Sequence, residues 1–226
     1  MRLAIISDIH ANLPALEVVH ESIKLKGVDR ILCLGDMVGY GARPQECVDF
    51  IRDNEILAVK GNHDEAAAAD SILKNFNPLA GEAVKWTRLA LSEDARSYLD
   101  KLPLTLRIED VTLAHSSPND PELWNYLFKI QDAEPHFAHF DTEVCFVGHT
   151  HYPVEFGEPG GSKRIINVGS VGQPRDRNNK ASYGLYDIGS RKFEWVRLDY
   201  PFEKAAQQII DAGLPPFNAN RLMMGI

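Results

Sequence analysis

Along the first sixty residues the apolar positions switch repeatedly between two spacings. Residues 2–6, RLAII, form a short β-branched run that reads as a buried strand. Residues 13–26 place Leu13, Leu16, Val19 and Ile23 at helical spacing, with Pro14 suited to a first turn and Gly27 to the stop. Residues 30–34 return to strand, 44–52 to helix and 56–59 to a third strand. Strand and helix alternating in this way predict a largely parallel sheet with right-handed crossovers. Residues 64–102 are different: rich in Ala, Leu, Glu and Lys, with breaks near Asn77-Pro78 and at Ser92, they predict two or three helices. Residues 104–108 and 111–114 pair across Glu109-Asp110 as a tight hairpin. Short strands are expected at 144–147, 154–156, 164–168, 182–187 and 192–197, with a closing helix at 201–212. No repeat, low-complexity segment or linker divides the chain. The 226 residues therefore read as one domain with a helical insertion near 65–102 and a C-terminal helix and tail near 201–226. The end of that tail, Leu222-Met223-Met224-Gly225-Ile226, is apolar enough to pack on the body or on another subunit.

Charge narrows the choice of partner. Lys plus Arg number 24 against 32 Asp plus Glu, a formal net charge of -8, which argues against gripping long nucleic acid through its phosphates. It does not argue against a small anionic substrate, because a local cation cluster can reverse the field at one pocket. The three cysteines, Cys33, Cys47 and Cys145, form no CxxC pair, and Cys33 and Cys145 lie in apolar runs. A reducing cytoplasm fits them better than a disulfide framework. The opening MRLAIISDIH is too short an apolar run for a signal peptide or a membrane span.

The chemistry sits where the expected strands end. The first runs into Asp8 and His10, the second into Asp36, the third into Asn62, His63 and Asp64, the strand at 111–114 into His115, and that at 144–147 into His149 and His151. Strand ends of an open α/β sheet are where ligands bind, so these residues are expected along one sheet edge. Carboxylate oxygens and imidazole nitrogens suit divalent manganese, iron, zinc or nickel, and no cysteine joins the set to suggest a structural zinc site. The DxH and HTH spacings put i and i+2 on one side of an extended chain, so each pair is expected to share an ion. Gly35, Gly61 and Gly148 permit tight turns beside them. Asp36 has two oxygens, enough to bridge two ions.

Taken singly, each residue has an ordinary role: Asp8 and Asp36 as helix caps, Asn62 as a turn residue, His115 as a hydrogen-bonded buried histidine. Together they would need seven coincidences at one place. The remaining histidines, His20, His136 and His139, are read as structural, the last two as a solvated helix face. Trp124 and Tyr126 in SSPNDPELWNY offer either an aromatic wall for a nucleotide base or, for Trp124, core packing. Of Arg175, Asp176 and Arg177, a phosphate contact is expected of Arg175 and a solvated turn of the others.

DIH at Asp8, GD at Asp36, GNHD at Gly61, His115 and GHTH at Gly148 resemble, in order and approximate spacing from 8 to about 176, the signature of the calcineurin-like metallophosphoesterase superfamily. DIHANLPALE and NVGSVGQPRD resemble its compact prokaryotic branch near the YfcE-type phosphodiesterases. That resemblance implies an α/β fold of two mixed sheets packed as a sandwich and flanked by helices. It implies one ion on Asp8, His10, Asp36 and His151 and another on Asp36, Asn62, His115 and His149, with Asp36 bridging and manganese the leading occupant. It further implies attack on phosphorus by a metal-bridging hydroxide, with His63 serving the leaving oxygen and Asn12 and Arg175 holding phosphate oxygens. The expected substrate is a small phosphodiester or phosphomonoester, nucleotides included, with no membrane or long nucleic acid as partner; a homo-oligomer is compatible. The chain departs from the Ser/Thr phosphatases at GDMVGYG, where Gly39 and Tyr40 replace an Asp that orients the acid histidine and an Arg that binds phosphate. This argues against a phosphoprotein substrate. The competing expectation is a non-enzymatic interaction scaffold resembling the retromer subunit of this fold; the filled ligand positions weigh against it.

Overall fold

The structure, a computed structural model of the chain, describes residues 1–69 and 76–226. In chain order the elements are β1 (Arg2–Ile6), α1 (Leu13–Leu25), β2 (Arg30–Cys33), α2 (Pro44–Asp53), β3 (Leu57–Ala58), α3 (Asn62–Ala68), α4 (Pro78–Ala90) and α5 (Glu93–Asp100). They continue as β4 (Thr105–Ile108), β5 (Val111–Ala114), α6 (Ile130–Ala133), β6 (Val144–Val147), β7 (Val154–Gly157), β8 (Arg164–Asn167), β9 (Ala181–Asp187), β10 (Lys192–Leu198), α7 (Phe202–Asp211) and α8 (Pro216–Met224), with 3₁₀ turns at Pro121–Leu123 and Glu134–His139. Among the described residues, the expected helical insertion at 65–102 holds the end of α3, all of α4 and all of α5; its residues 70–75 lie outside the described residues.

The strands form two five-stranded sheets, ordered β10-β9-β1-β2-β3 and β4-β5-β6-β8-β7. In the first, β1, β2 and β3 are parallel as the alternating pattern predicts, and β9 and β10 complete it antiparallel. In the second, β5, β6 and β8 are parallel and carry antiparallel β4 and β7 at the edges. The β4–β5 hairpin turns at Glu109, which takes φ 52°.

The sheets stack face to face. Leu3, Ile5, Leu32, Leu34 and Val59 meet Val111, Leu113, Val144, Phe146 and Ile166 in one buried layer. The alternate positions of β1, Ala4 and Ile6, face the other way and pack with Leu16, Val19 and Ile23 of α1 and Ile209 of α7. Strands buried on both faces read as continuous apolar runs, which is why RLAII carries no alternation. Behind the second sheet, Cys145, Val147 and Ile165 pack on Phe137 and Phe140. All three cysteines are free and buried.

Two expectations need correction here. The strands bearing the candidate residues belong to two sheets, so these residues do not lie along one sheet edge. The expected C-terminal tail is largely helix: Pro216 opens α8 and Gly225, at φ 64°, closes it in the left-handed conformation. Among the described residues no helix is long and apolar enough to cross a membrane.

Candidate metal centre

The loops leaving β1, β2 and β6 turn sharply. Asp8, His10 and Ala11 adopt φ 52°, 50° and 52°, Asp36 51°, and His149 and His151 66° and 63°. Side chains seldom take this left-handed region, which costs of order 1–3 kcal/mol each and clusters at functional sites. DxH and HTH therefore do not converge as extended i, i+2 pairs; kinked backbone aims them instead. The surroundings hold the kinks in place. Asp8, His10 and Ala11 donate backbone N–H groups to Gly35, Asp36 and Met37 carbonyls at 3.1, 2.9 and 2.9 Å. The His149 N–H reaches across to Asp8 Oδ2 at 3.0 Å and ties the two sheets' loops together, while Gly148 N–H donates to His115 O at 2.8 Å within the second sheet. Asp64 accepts from the Asp36, Met37 and Gly61 N–H groups at 2.8, 2.9 and 3.0 Å and so fixes the β2 loop to the start of α3. Gly61 has to be glycine, because a Cβ there would collide with Asp36 Oδ1.

The converged atoms form triads of Asp8, His10 and His151, of His10, Asp36 and His63, and of Asp36, His115 and His149, each with its ligand atoms within 4.8 Å of one another. His10 Nε2 lies 3.0 Å from His151 Nε2, and Asp8 Oδ1 lies 3.2 Å from the latter. His115 Nε2 lies 3.2 Å from His149 Nδ1. Asp36 Oδ2 stands between the groups, 3.7 Å from His10 Nε2 and 3.4 Å from His115 Nε2. Its other oxygen accepts the His63 N–H at 2.8 Å, which leaves Oδ2 as the oxygen that faces both groups.

The donor set fits cations. Each imidazole has its outer nitrogen against a backbone carbonyl: His10 Nδ1 on Val38, His115 Nδ1 on Leu34, His151 Nδ1 on Gln173 and His149 Nε2 on Trp124. If those nitrogens carry the proton, the inner ones are bare lone pairs, and two bare pairs face each other at 3.0 Å and two more at 3.2 Å. Facing lone pairs repel unless a cation or proton lies between them. Asp8 Oδ1 and Asn62 Oδ1 are buried and take no hydrogen bond, as unused ligand atoms would. Burial, reinforced by His115, lowers His149 to about 3, and burial also lowers His10 and His151, which keeps these imidazoles neutral. His115 is the exception. Burial would lower it, but the Asp36 carboxylate outweighs burial and pushes it up to about 9, so a proton occupies this position when no metal does.

A model of the calcineurin-like phosphoesterase superfamily domain matches residues 1–191. The chain belongs to that superfamily. Its members generally depend on divalent metal, and the Asp and His triads could bind it. An uncharacterized protein of Methanocaldococcus jannaschii is 40% identical over 99% of this chain and 98% of its own length. Phosphodiesterase YfcE of Escherichia coli is a homologue, 28% identical over 83% of this chain and 88% of its own. A metallophosphoesterase from Sphaerobacter thermophilus has the same fold at TM-score 0.89, with 39% identity, 100% of this chain and 99% of that one covered.

Against the superfamily pattern, the structure treats the other expected residues unevenly. His63 is buried against the triads, its ring 4.9 Å from that of His10, 4.5 Å from Tyr40 and 4.8 Å from Phe76. Its Nδ1 has no hydrogen-bond partner and faces Gly39, whose missing Cβ leaves room for the ring. Packing thus orients His63, and Asp64, occupied with three backbone N–H groups, takes no part. Burial lowers His63 to about 4 despite the Asp36 charge.

Asn12 has a different job from the phosphate contact expected of it. It caps α1 through Oδ1 on Ala15 N, and Nδ2 donates to Gly172 O at 2.8 Å and Tyr200 Oη at 3.2 Å, so its amide is fully used. Arg175 does approach the site: its charge is felt by His10, His63 and His151, its guanidinium lies 5.6 Å from the Tyr40 ring centroid, and its Nε has no partner. Asp176 pairs with Arg197. His136 is buried within a 3₁₀ turn, not on a solvated helix face, while His139 is exposed.

Tyr126 stacks on His149 at 4.1 Å and 22° and on Phe128 at 5.6 Å, and it is half exposed. Trp124 gives the site its carbonyl. With Tyr40, Asn62, His63, Phe76 and His149, Trp124 and Tyr126 line an open cleft of about 310 Å³. Tyr40 and Gly39 are site residues that sequence reasoning saw only as departures from another family.

Proposed function

We propose that this chain is a dinuclear-metal phosphoesterase that hydrolyses a small phosphodiester, with a phosphomonoester as the second choice. The observation that carries the reading is the pair of buried donor groups sharing Asp36, each with imidazole nitrogens that face one another across 3.0 and 3.2 Å. Asp8, His10, Asp36 and His151 would hold one ion, and Asp36, Asn62, His115 and His149 the other, with manganese the leading occupant. Two such ions supply Lewis acidity at phosphorus and an acidified water as nucleophile. The protein's residues do the rest. Asp36 and the carbonyl-anchored imidazoles hold the charge centre in one geometry. Arg175 neutralises phosphate oxygens from the Tyr40 side. His63 is neutral at rest; with Nδ1 closed off against Gly39, its proton sits on Nε2 and stabilises the leaving oxygen. Tyr126, open to solvent on the cleft wall, offers a stacking surface to the organic part of a substrate. Homology to a phosphodiesterase favours the diester.

The test is steady-state hydrolysis of bis(p-nitrophenyl) phosphate by chelator-treated protein reloaded with manganese, with p-nitrophenyl phosphate alongside and Asp36→Asn as the control. Metal-dependent turnover that prefers the diester and is lost in Asp36→Asn, by at least about a thousandfold, supports the proposal. Preference for the monoester makes it a phosphatase. Full activity in Asp36→Asn sinks the shared-ligand reading, and no turnover of either ester by metal-loaded protein sinks the proposal and leaves the scaffold reading.

A further inference from the structure

A row of open aromatic rings starts at a candidate metal ligand. Tyr126 stacks on His149 with centroids 4.1 Å apart. Phe128 stacks on Tyr126 at 5.6 Å, with the two rings 6° from parallel, and Tyr152 meets Phe128 edge-on at 5.9 Å. The three rings are 51%, 56% and 41% exposed. Contiguous apolar surface left this open marks a place that a ligand or partner covers. The row is a product of the fold, since Tyr126 and Phe128 follow β5 whereas Tyr152 follows His151 after β6.

The row is firmly held. Trp124 O lies 2.9 Å from His149 Nε2, which pins the loop to the metal centre. Asp132 Oδ2 accepts the N–H groups of Phe128 and Lys129 at 3.1 and 3.2 Å. Between them the backbone takes left-handed φ at Asp120 and Trp124, 47° and 54°, a strain that collects at ligand sites. The near end of the row opens on the cleft of about 310 Å³ that Asn62, His63 and His149 also line. The Tyr126 hydroxyl feels the charges of Arg175, Asp36 and Asp8, so that end of the side chain points toward the centre.

The form of the row indicates what covers it. Half-exposed rings present π faces to a flat partner, and stacking of a nucleobase on such rings is strong and tolerant of base identity. An aliphatic chain would gain most from a groove that encloses it, and this surface is open. A nucleoside carries its base one sugar ring from its phosphate. Rings that begin beside a metal ligand therefore suit a molecule whose phosphate is held at the centre and whose base lies just outside it.

We propose that Tyr126, Phe128 and Tyr152 form a stacking platform for the nucleobase of the substrate. The substrate class is then a phosphodiester that carries a nucleoside, which narrows the proposed function on which this inference rests. Phe128 and Tyr152, which touch no candidate metal ligand through their rings, become specificity residues of the site.

The experiment is calorimetric binding of two phosphonates that cannot be hydrolysed, phosphonomethoxyethyl adenine and the same phosphonate with a hydroxyl group in place of the adenine. Both are titrated into manganese-loaded wild type, Phe128→Ala, Tyr152→Ala and Phe128→Tyr in one buffer. Wild type is expected to bind the adenine compound more tightly. Phe128→Ala should weaken that compound about fivefold or more and the base-free one less than about twofold, with Tyr152→Ala acting in the same direction and Phe128→Tyr retaining wild-type affinity. Equal affinity of wild type for the two probes, equal weakening of both in Phe128→Ala, or no change in either overturns the platform. Bis(p-nitrophenyl) phosphate turnover is measured in parallel: its absence in wild type defeats the catalytic reading and leaves the binding comparison intact.

Discussion

His63 shows how one side chain can be placed without a hydrogen-bonded partner. Its backbone N–H is fixed on Asp36 Oδ1 and its ring is enclosed by Tyr40, Phe76 and His10, so packing does the work that a carboxylate does elsewhere in the superfamily. His63→Ala is expected to lower kcat by about 10²–10⁴ on an alkyl phosphodiester and much less on a p-nitrophenyl ester, whose leaving group needs little help. Equal losses on the two substrates in steady-state assays would show that His63 does not serve the leaving oxygen. At this scale the sequence was a good guide to which residue types meet: the seven candidate ligands and His63 all converge on the triads or beside them. It was a poor guide to Asn12. An Asn just ahead of a helix with Pro14 in its first turn is also a cap, and the capping geometry consumed the amide.

At the scale of elements, the strand ends mattered and their conformation was not legible. Local pattern marks where β1 stops, but not that Asp8, His10 and Ala11 then take positive φ, a state held by hydrogen bonds to the β2 loop and to segments remote in the chain, among them Ser170, Gly172 and His149. Gly39 is the position where this becomes testable. At φ +90°, with His63 Nδ1 where a Cβ would go, Gly39→Ala combines backbone strain of order 1 kcal/mol with a push on the imidazole. The expected result is a fall in kcat like that of His63→Ala, with manganese affinity by calorimetry nearly unchanged. Wild-type kcat in this variant would show that His63 has room to move. The α8 helix was missed for a related reason. After residue 212 the sequence reads as tail, whereas Pro216 starts a helix whose Leu222 is buried against the body.

On the scale of the whole molecule, the buried imidazoles link the metal centre to stability. In the metal-free protein His63 and His149 lie at about 4 and 3 against an ordinary 6.5. The unfolded chain therefore binds more protons below pH 6.5, and stability rises with pH up to that value. His115, raised to about 9, acts in the opposite sense: the folded state holds its extra proton between pH 6.5 and 9, and that contribution fades as pH climbs through the window. Melting temperature of chelated protein is thus expected to peak near pH 6.5 and to decline toward 9. Saturating manganese should remove the decline, because the metal replaces that proton. A chelated protein whose melting temperature rises steadily from pH 7 to 9, followed by circular dichroism, would contradict the His115 environment.

The sequence by itself determined the strands, most helices, and the set of residues able to bind metal, because these depend on period, capping chemistry and donor type, all written locally. The parallel β1-β2-β3 core followed from alternation alone. Only the tertiary structure decided that the ligand-bearing strands divide between two stacked sheets, since RLAII and VCFV are apolar on both faces and do not say which face meets which. Only it decided that Asp36 Oδ2 stands between His10 and His115, that Gly39 and Tyr40 enclose His63, and that Arg221 on a distant helix reaches the same ring as Arg175. Those are contacts between segments far apart in the chain, and their energies arise from burial and charge that exist only once the segments meet.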